Sequence, residues 1–207
     1  MKFYIVRHGE TRLNVEAVLQ GRLDEPINQS GRDLAAITGQ NMRGIHFDAC
    51  ISSPLVRAYE TAEIILRESG NDIPIATDDR LQEMAFGVWE GRKLADMGEG
   101  SQRYVTDAFN YERFEGGEDV HDVCVRTQEF LHELAARDDG KTYLISTHGC
   151  ALRAMLNFLY DDPTNFWQEH VPYNCCVSIV EAEDGDIRLV EKDKIYYPAE
   201  MVVDRYK

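Results

Sequence analysis

Apolar residues fall along this chain in two alternating rhythms. The first is the short unbroken run. Phe3 to Val6 (FYIV) is one, and it leads straight into Arg7-His8-Gly9. Runs of that kind predict strands buried on both faces. Residues 49–52 (ACIS), 74–77 and 142–146 (TYLIS) predict further strands. The second rhythm has helical spacing. It predicts helices over 30–43, with Ser30 as N-cap, and over 54–68. There Ser53 is placed to cap and Pro54 takes the first helical position, where its missing N–H costs nothing. The clearest helix is 119–136, where Val120, Val123, Cys124, Thr127, Phe130, Leu131 and Leu134 share one face. Another is predicted over 150–160. Residues 176–181 and 187–191 read as a closing hairpin around Glu183-Asp184-Gly185-Asp186.

Continuous strands alternating with helices predict an α/β fold with a mostly parallel central sheet and an antiparallel edge made by the hairpin. Residues 92–115 break the alternation. They are polar and aromatic and read as a helical insertion or lid. There is no repeat and no low-complexity linker. The 207 residues suit one domain spanning 1–207, and 43% hydrophobic residues suffice for a core.

Charge narrows the partners. With 22 basic and 37 acidic side chains the net charge is −15. Such a field repels nucleic acid and anionic membrane, so neither is expected as a partner. It still permits a small anionic substrate held by local arginines. The cysteines (Cys50, Cys124, Cys150, Cys175 and Cys176) form no CxxC pair or zinc spacing, and read as buried small hydrophobes. With no signal-peptide pattern at Met1-Lys2 and no apolar stretch of membrane-spanning length, the expected location is the cytoplasm.

In parallel α/β sheets, sites form beyond the carboxyl ends of the strands. Arg7-His8-Gly9 follows the first strand. Ser52-Ser53-Pro54 follows the second, with Arg57 in the next helical turn. Asp79-Arg80-Leu81-Gln82-Glu83 follows the third, and Thr147-His148-Gly149 the strand at 142–146. Two histidines, two arginines and a glutamate thus converge on one rim. Guanidiniums offer forked donors to a tetrahedral oxyanion, and a helix N-terminus adds positive potential. Neutral imidazole is a nucleophile at pH 7, and a second imidazole can hold equatorial oxygens. A carboxyl group beside a bound dianion keeps its proton and can pass it to a leaving oxygen. These are the parts of phosphoryl transfer through a phosphohistidine. Arginines here carry the charge that magnesium carries elsewhere, so neither metal nor cofactor is expected.

The ordered motifs "RHGET" with Asn14, "SSPLVRAYETA", "LQEMAFGVWEG" and "STHG" resemble the histidine phosphatase superfamily, the group that contains cofactor-dependent phosphoglycerate mutases. The resemblance runs from residue 3 to about 181. It implies a three-layer αβα sandwich. It also implies a nucleophile at His8, an acid at Glu83, and a phosphate pocket at Arg7, Asn14, Arg57 and His148, with Gly149 beside it. The run "QGR" matches a substrate-side segment and brings in Gln20 and the backbone of Gly21.

The group's mutases carry a longer, basic insertion after the acid-bearing motif. Here residues 92–115 hold Arg92, Lys93, Arg103 and Arg113 against Asp96, Glu99, Asp107, Glu112 and Glu115. The phosphatase branch fits this better, acting on a small phosphorylated substrate. A mutase or other phosphotransferase is the alternative, and a non-catalytic phosphate-binding regulator is a third reading. An α-ribazole-type or sugar-bisphosphate phosphatase stays open within the first. Where the family has "GES" this chain has Gly117-Glu118-Asp119, and Asp119 can still cap the following helix. The lid aromatics Tyr104, Phe109, Tyr111 and Phe114 pack the lid, line a leaving-group pocket, or both. His46, His121, His132 and His170 have no motif context and are expected to be structural or surface residues. The tail 193–207, with Ile195, Tyr196, Tyr197, Met201, Val202, Val203 and Tyr206, packs on the body or on a second subunit, which leaves a homodimer open.

Overall fold

Phe3 and Ile5 point to one side of the first strand and Tyr4 and Val6 to the other, and all four are buried. A strand can do this only when both sheet faces are covered, and each such side chain contributes roughly 1.5–3 kcal/mol. The computed structural model describes residues 1–203. Its elements in order are β1 (Lys2–Arg7), a short α1 (Arg12–Val15), α2 (Gln29–Asn41), β2 (Ala49–Ser52), α3 (Val56–Ser69) and β3 (Ile75–Thr77). Then come α4 (Glu99–Thr106), α5 (Val120–Ala135), β4 (Thr142–Thr147), α6 (Gly149–Leu156), β5 (Val177–Glu183) and β6 (Asp186–Lys194).

The sheet order is β3-β2-β4-β1-β5-β6. β3, β2, β4 and β1 are parallel, β5 runs antiparallel to β1, and β6 antiparallel to β5. The fold is thus a mixed sheet, mostly parallel with an antiparallel edge. Tyr4 and Val6 pack with Leu34, Ala35 and Ile65 of α2 and α3. Phe3 and Ile5 pack with Phe130 and Leu131 of α5 and Leu152 and Met155 of α6. That gives three layers. The β5–β6 turn has positive φ at Asp184 (52°) and Gly185 (83°), as a tight hairpin requires.

Several helix ends differ from the sequence expectation. Asn28, not Ser30, caps α2: its side chain accepts from the Gly31 amide at 2.8 Å. α3 starts at Val56, two residues after Pro54. Its first amide is held by Asp24, at 2.7 Å from a distant loop, while Ser53 Oγ accepts from the preceding Leu55 amide at 3.3 Å. The helix expected over 150–160 is α-helical to Leu156 and ends in a 3₁₀ turn at Asn157–Leu159. Asp119 does cap α5, through a reciprocal capping box with Asp122.

The lid holds α4 among short 3₁₀ turns and is packed by aromatic edges. Tyr104 meets Phe86, Tyr111, Phe114 and Trp167 at centroid distances of 5.4–6.1 Å, all near perpendicular. In the tail, Ile195, Tyr196, Met201 and Val202 pack on the α2/α3 side, and Tyr197 is buried with its hydroxyl donating to the Asn174 carbonyl at 2.7 Å. Tyr206 lies outside the described residues. Cys50, Cys150, Cys175 and Cys176 are buried free thiols. Burial pushes Cys50 and Cys175 up to about 12, which leaves them unreactive. No helix among the described residues is long and apolar enough to cross a membrane.

Candidate active site

Strand register assembles the site. Arg7 lies opposite Thr147 in the β1–β4 ladder, so His8 and His148 leave the sheet side by side. Their rings are 5.1 Å apart between centroids. Ser52 lies opposite Ser146 in the β2–β4 ladder, so Ser53 emerges beside Thr147 and reaches His148: Ser53 Oγ is 2.8 Å from His148 Nε2. Two glycines let the β1 exit lie against α2. A Cβ on Gly9 would sit 2.8 Å from the Gly31 carbonyl oxygen, and one on Gly31 would sit 2.3 Å from that of Glu10.

His8 is buried, with Nδ1 2.7 Å from the Gly9 carbonyl oxygen. A carbonyl only accepts, so the proton sits on Nδ1 and the lone pair on Nε2. Burial, then the charges of Arg57 and Arg7, hold this imidazole well below its ordinary value of 6.5. It is neutral at pH 7. His148 is fully buried and is held down by the same burial, then by Arg57 and His8. Its Nδ1 has no hydrogen-bond partner among the described residues.

Arg57 is fully buried. It donates to the carbonyls of Leu23 (2.7 Å) and Gly21 (2.8 Å), and its Nε has no partner among the described residues. Burial lowers this guanidinium to about 10, so it stays charged at neutral pH. Gly21 has φ +51° and packs so tightly that a Cβ would meet the Glu90 carboxylate at 2.2 Å. Arg7 donates to the Pro172 carbonyl and lies alongside Gly149, where a Cβ would come 3.4 Å from Arg7 Nε. Asn14 and Gln20 are tied through Thr11: Asn14 Oδ1 accepts from the Thr11 amide at 3.1 Å, and Gln20 Oε1 from the Thr11 hydroxyl at 2.9 Å.

Glu83 sits on the N-terminus of α6. Its Oε1 accepts from the amides of Met84 (2.9 Å) and Ala151 (3.0 Å), and its Oε2 from Cys150 (3.2 Å). The segment carrying it is clamped by Arg126, which donates to the carbonyls of Arg80 and Gln82 at 2.7 Å each. Glu118 completes the clamp. It accepts from Arg126 Nε at 2.8 Å and from the Ala85 amide at 2.8 Å.

Arg7, His8, Asn14, Gln20, Gly21, Arg57, Glu83 and Gly149 line one cavity of about 660 Å³. His148 is not among the residues lining that cavity, but its ring packs against His8, which is. Sequence reasoning missed Ser53 as a partner of His148, Asn174, whose amide donates to the His8 carbonyl at 3.0 Å, and Arg126 with Glu118. It also missed His170, which lines the cavity. Of the lid aromatics, Tyr104 both packs the lid and lines the cavity, whereas Phe109, Tyr111 and Phe114 only pack. The remaining walls are largely apolar, with Leu19, Phe86, Leu94 and Trp167 among them. Chemically, the arrangement offers an imidazole lone pair, two guanidiniums and a carboxylate to one bound group.

The sequence profile of the histidine phosphatase superfamily (branch 1) matches residues 3–194. A protein of Salmonella choleraesuis named as a probable phosphoglycerate mutase, GpmB, is 32% identical over 190 residues, which cover 89% of this chain and 86% of that one. Bacillus stearothermophilus YhfR superposes with a TM-score of 0.85 at 30% identity, covering 100% of this chain and 99% of its own. A mycobacterial glucosyl-3-phosphoglycerate phosphatase shares the fold, with a TM-score of 0.80 at 24% identity over 93% of this chain and 98% of its own.

Proposed function

This chain belongs to the histidine phosphatase superfamily, and from that premise we propose that it hydrolyses small phosphomonoesters through a phosphohistidine on His8, without a metal. The observation that carries the reading is the His8 Nδ1–Gly9 carbonyl bond of 2.7 Å, which frees Nε2 in a cavity shared with Arg7, Arg57 and Glu83.

In the first step His8 Nε2 attacks phosphorus and the bond from phosphorus to the leaving oxygen breaks. Glu83 passes a proton to that oxygen. In the second, water attacks the phosphohistidine, Glu83 takes the water proton, and the N–P bond breaks to release inorganic phosphate. Arg7 and Arg57 carry the equatorial charge. If Ser53 donates to His148 Nε2, the proton of that imidazole sits on Nδ1, where it serves as a further donor to the phosphoryl group.

Hydrolysis is favoured over mutase chemistry by the cavity beyond the phosphate end. Arg7 and Arg57 are the arginines that line it, no lysine does among the described residues, and Glu169 does. A bisphosphorylated cofactor would bring a second dianion to apolar and acidic walls. The second reading, a phosphoglycerate mutase, is supported by the 32% identity to the Salmonella protein of that name. One experiment separates them: phosphate release from a panel of esters in EDTA, including 3-phosphoglycerate with and without 2,3-bisphosphoglycerate, for wild type and His8→Ala. Release by wild type and none by the variant supports hydrolysis. Interconversion of phosphoglycerates with little release supports the mutase.

A further inference from the structure

The cavity wall between Trp167 and Val171 is built under constraint. Gln168 and Glu169 both have positive φ, 52° and 77°. Residues other than glycine seldom hold that conformation unless their surroundings enforce it. Arg153 of α6 supplies the enforcement. It is fully buried, and all five of its N–H groups find acceptors. Nε donates to the Trp167 carbonyl at 3.1 Å and one terminal nitrogen to the His170 carbonyl at 3.0 Å. The rest meet the Tyr160 hydroxyl at 3.3 Å and both oxygens of Asp193 on β6, at 3.1 and 2.6 Å. The Asp193 side chain is itself only 6% exposed. A buried ion pair is costly unless its hydrogen bonds are complete, and on the arginine side they are.

On the other side of this bend Arg7 holds the Pro172 carbonyl. The bend is therefore pinned at 167, 170 and 172, by one arginine outside the phosphate pocket and one inside it. Between the pins, Glu169 lines the cavity, and its carboxylate makes no ion pair or hydrogen bond among the described residues. The neighbouring His170 ring is turned to the clamp. It stacks on Tyr173 at 4.7 Å, and its Nε2 lies 3.5 Å from Asp193 Oδ2. Trp167 and Tyr104, also in the wall, offer aromatic surface that suits an organic cation.

We propose that Glu169 is a specificity-determining residue, selecting phosphomonoesters whose alcohol end carries an ammonium group over those carrying a second anion, and that the buried Arg153–Asp193 pair is the device that positions it. The proposal rests on the phosphomonoesterase reading of this cavity. A carboxylate at the rim exerts a screened interaction, so the discrimination is set at about fivefold rather than many orders of magnitude.

The test uses three alkyl phosphates of equal chain length that end in ammonium, methyl or carboxylate, with p-nitrophenyl phosphate as a fourth substrate. Wild type should show kcat/KM falling in the order ammonium, methyl, carboxylate, with about fivefold or more between the ends. Glu169→Gln should collapse that ratio toward one, and Glu169→Lys should invert it. Asp193→Asn, which keeps shape and removes the charge, should narrow the ratio while kcat for the methyl ester holds. Equal use of the ammonium and carboxylate esters by wild type, or an unchanged ratio in Glu169→Gln, overturns the specificity role. A uniform loss on all esters in Asp193→Asn overturns the positioning role. No phosphate release from any of the four, p-nitrophenyl phosphate included, overturns the phosphomonoesterase reading itself and this proposal with it.

Discussion

Ser53 Oγ lies 2.8 Å from Nε2 of His148, across a sequence separation of 95 residues. The contact arises from the β2–β4 register, which delivers both residues to the same rim. A hydroxyl that donates to Nε2 fixes the imidazole proton on Nδ1, the one ring nitrogen without a partner among the described residues.

Replacing Ser53 by alanine should therefore remove the group that sets this tautomer. We expect kcat/KM to fall about tenfold and stability by roughly 1–2 kcal/mol, the cost of a buried polar atom losing its partner. Steady-state kinetics and urea unfolding read both. Unchanged kinetics with reduced stability would assign Ser53 to the fold alone.

Glu83→Gln should slow esters with poor leaving groups far more than p-nitrophenyl phosphate, whose leaving oxygen needs no proton. The amide retains acceptor capacity for only part of the three backbone donors that now meet Glu83. Some loss of stability should accompany the change. Equal rate losses on both ester types would take the proton-transfer role away from Glu83.

The pH dependence has a definite sign. In the proposed mechanism His8 must be neutral to attack, and it is held well below 6.5 by burial and by Arg57 and Arg7. The kcat/KM profile of the free enzyme should stay level through pH 6.5 and fall only below it. Stability moves in the same direction. The unfolded chain takes up protons on His8 and His148 near 6.5, whereas the folded chain does so only at lower pH. Their contribution is thus complete above 6.5 and is lost as pH falls from there toward the folded-state values. His8→Asn should lose less stability over that window than wild type. An acid limb centred at or above 6.5 would contradict this account of His8.

Glu118 links the clamp to the loop that carries Glu83, through Arg126, Arg22 and the Ala85 amide. Glu118→Ala should destabilise the protein by roughly 1–3 kcal/mol, since it leaves a largely buried Arg126 with fewer acceptors. It should also lower kcat by loosening Glu83. Chemical unfolding and turnover on one ester measure the two effects. A change within about 0.5 kcal/mol would place Glu118 outside the clamp.

Much of this molecule was readable because strands and motifs share one logic. The run Phe3–Val6 declares a strand buried on both faces, and the residues just beyond the carboxyl end of such a strand belong to the site rim of a parallel sheet. His8, Arg57, Glu83 and His148 could be placed together on that ground. The helix starts were less legible, because their caps come from tertiary contacts. Asp24 reaches Val56 from another loop, and Asn28 takes the place expected of Ser30. The wall at 167–171 left no sequence signal. Its shape comes from Arg153 and Asp193, 40 residues apart, and neither carries a motif. His170, read as a structural or surface residue, is in that wall for the same reason.

The central claim is the covalent step, and the most direct measurement is a rapid-quench experiment with excess enzyme and a single phosphomonoester, with mass spectrometry of the peptide containing His8. The account predicts an added phosphoryl group on His8 that is stable in base, labile in acid, and formed and lost at rates consistent with turnover. Steady phosphate release with no phosphoryl group on His8, or with it on another residue, would contradict the account.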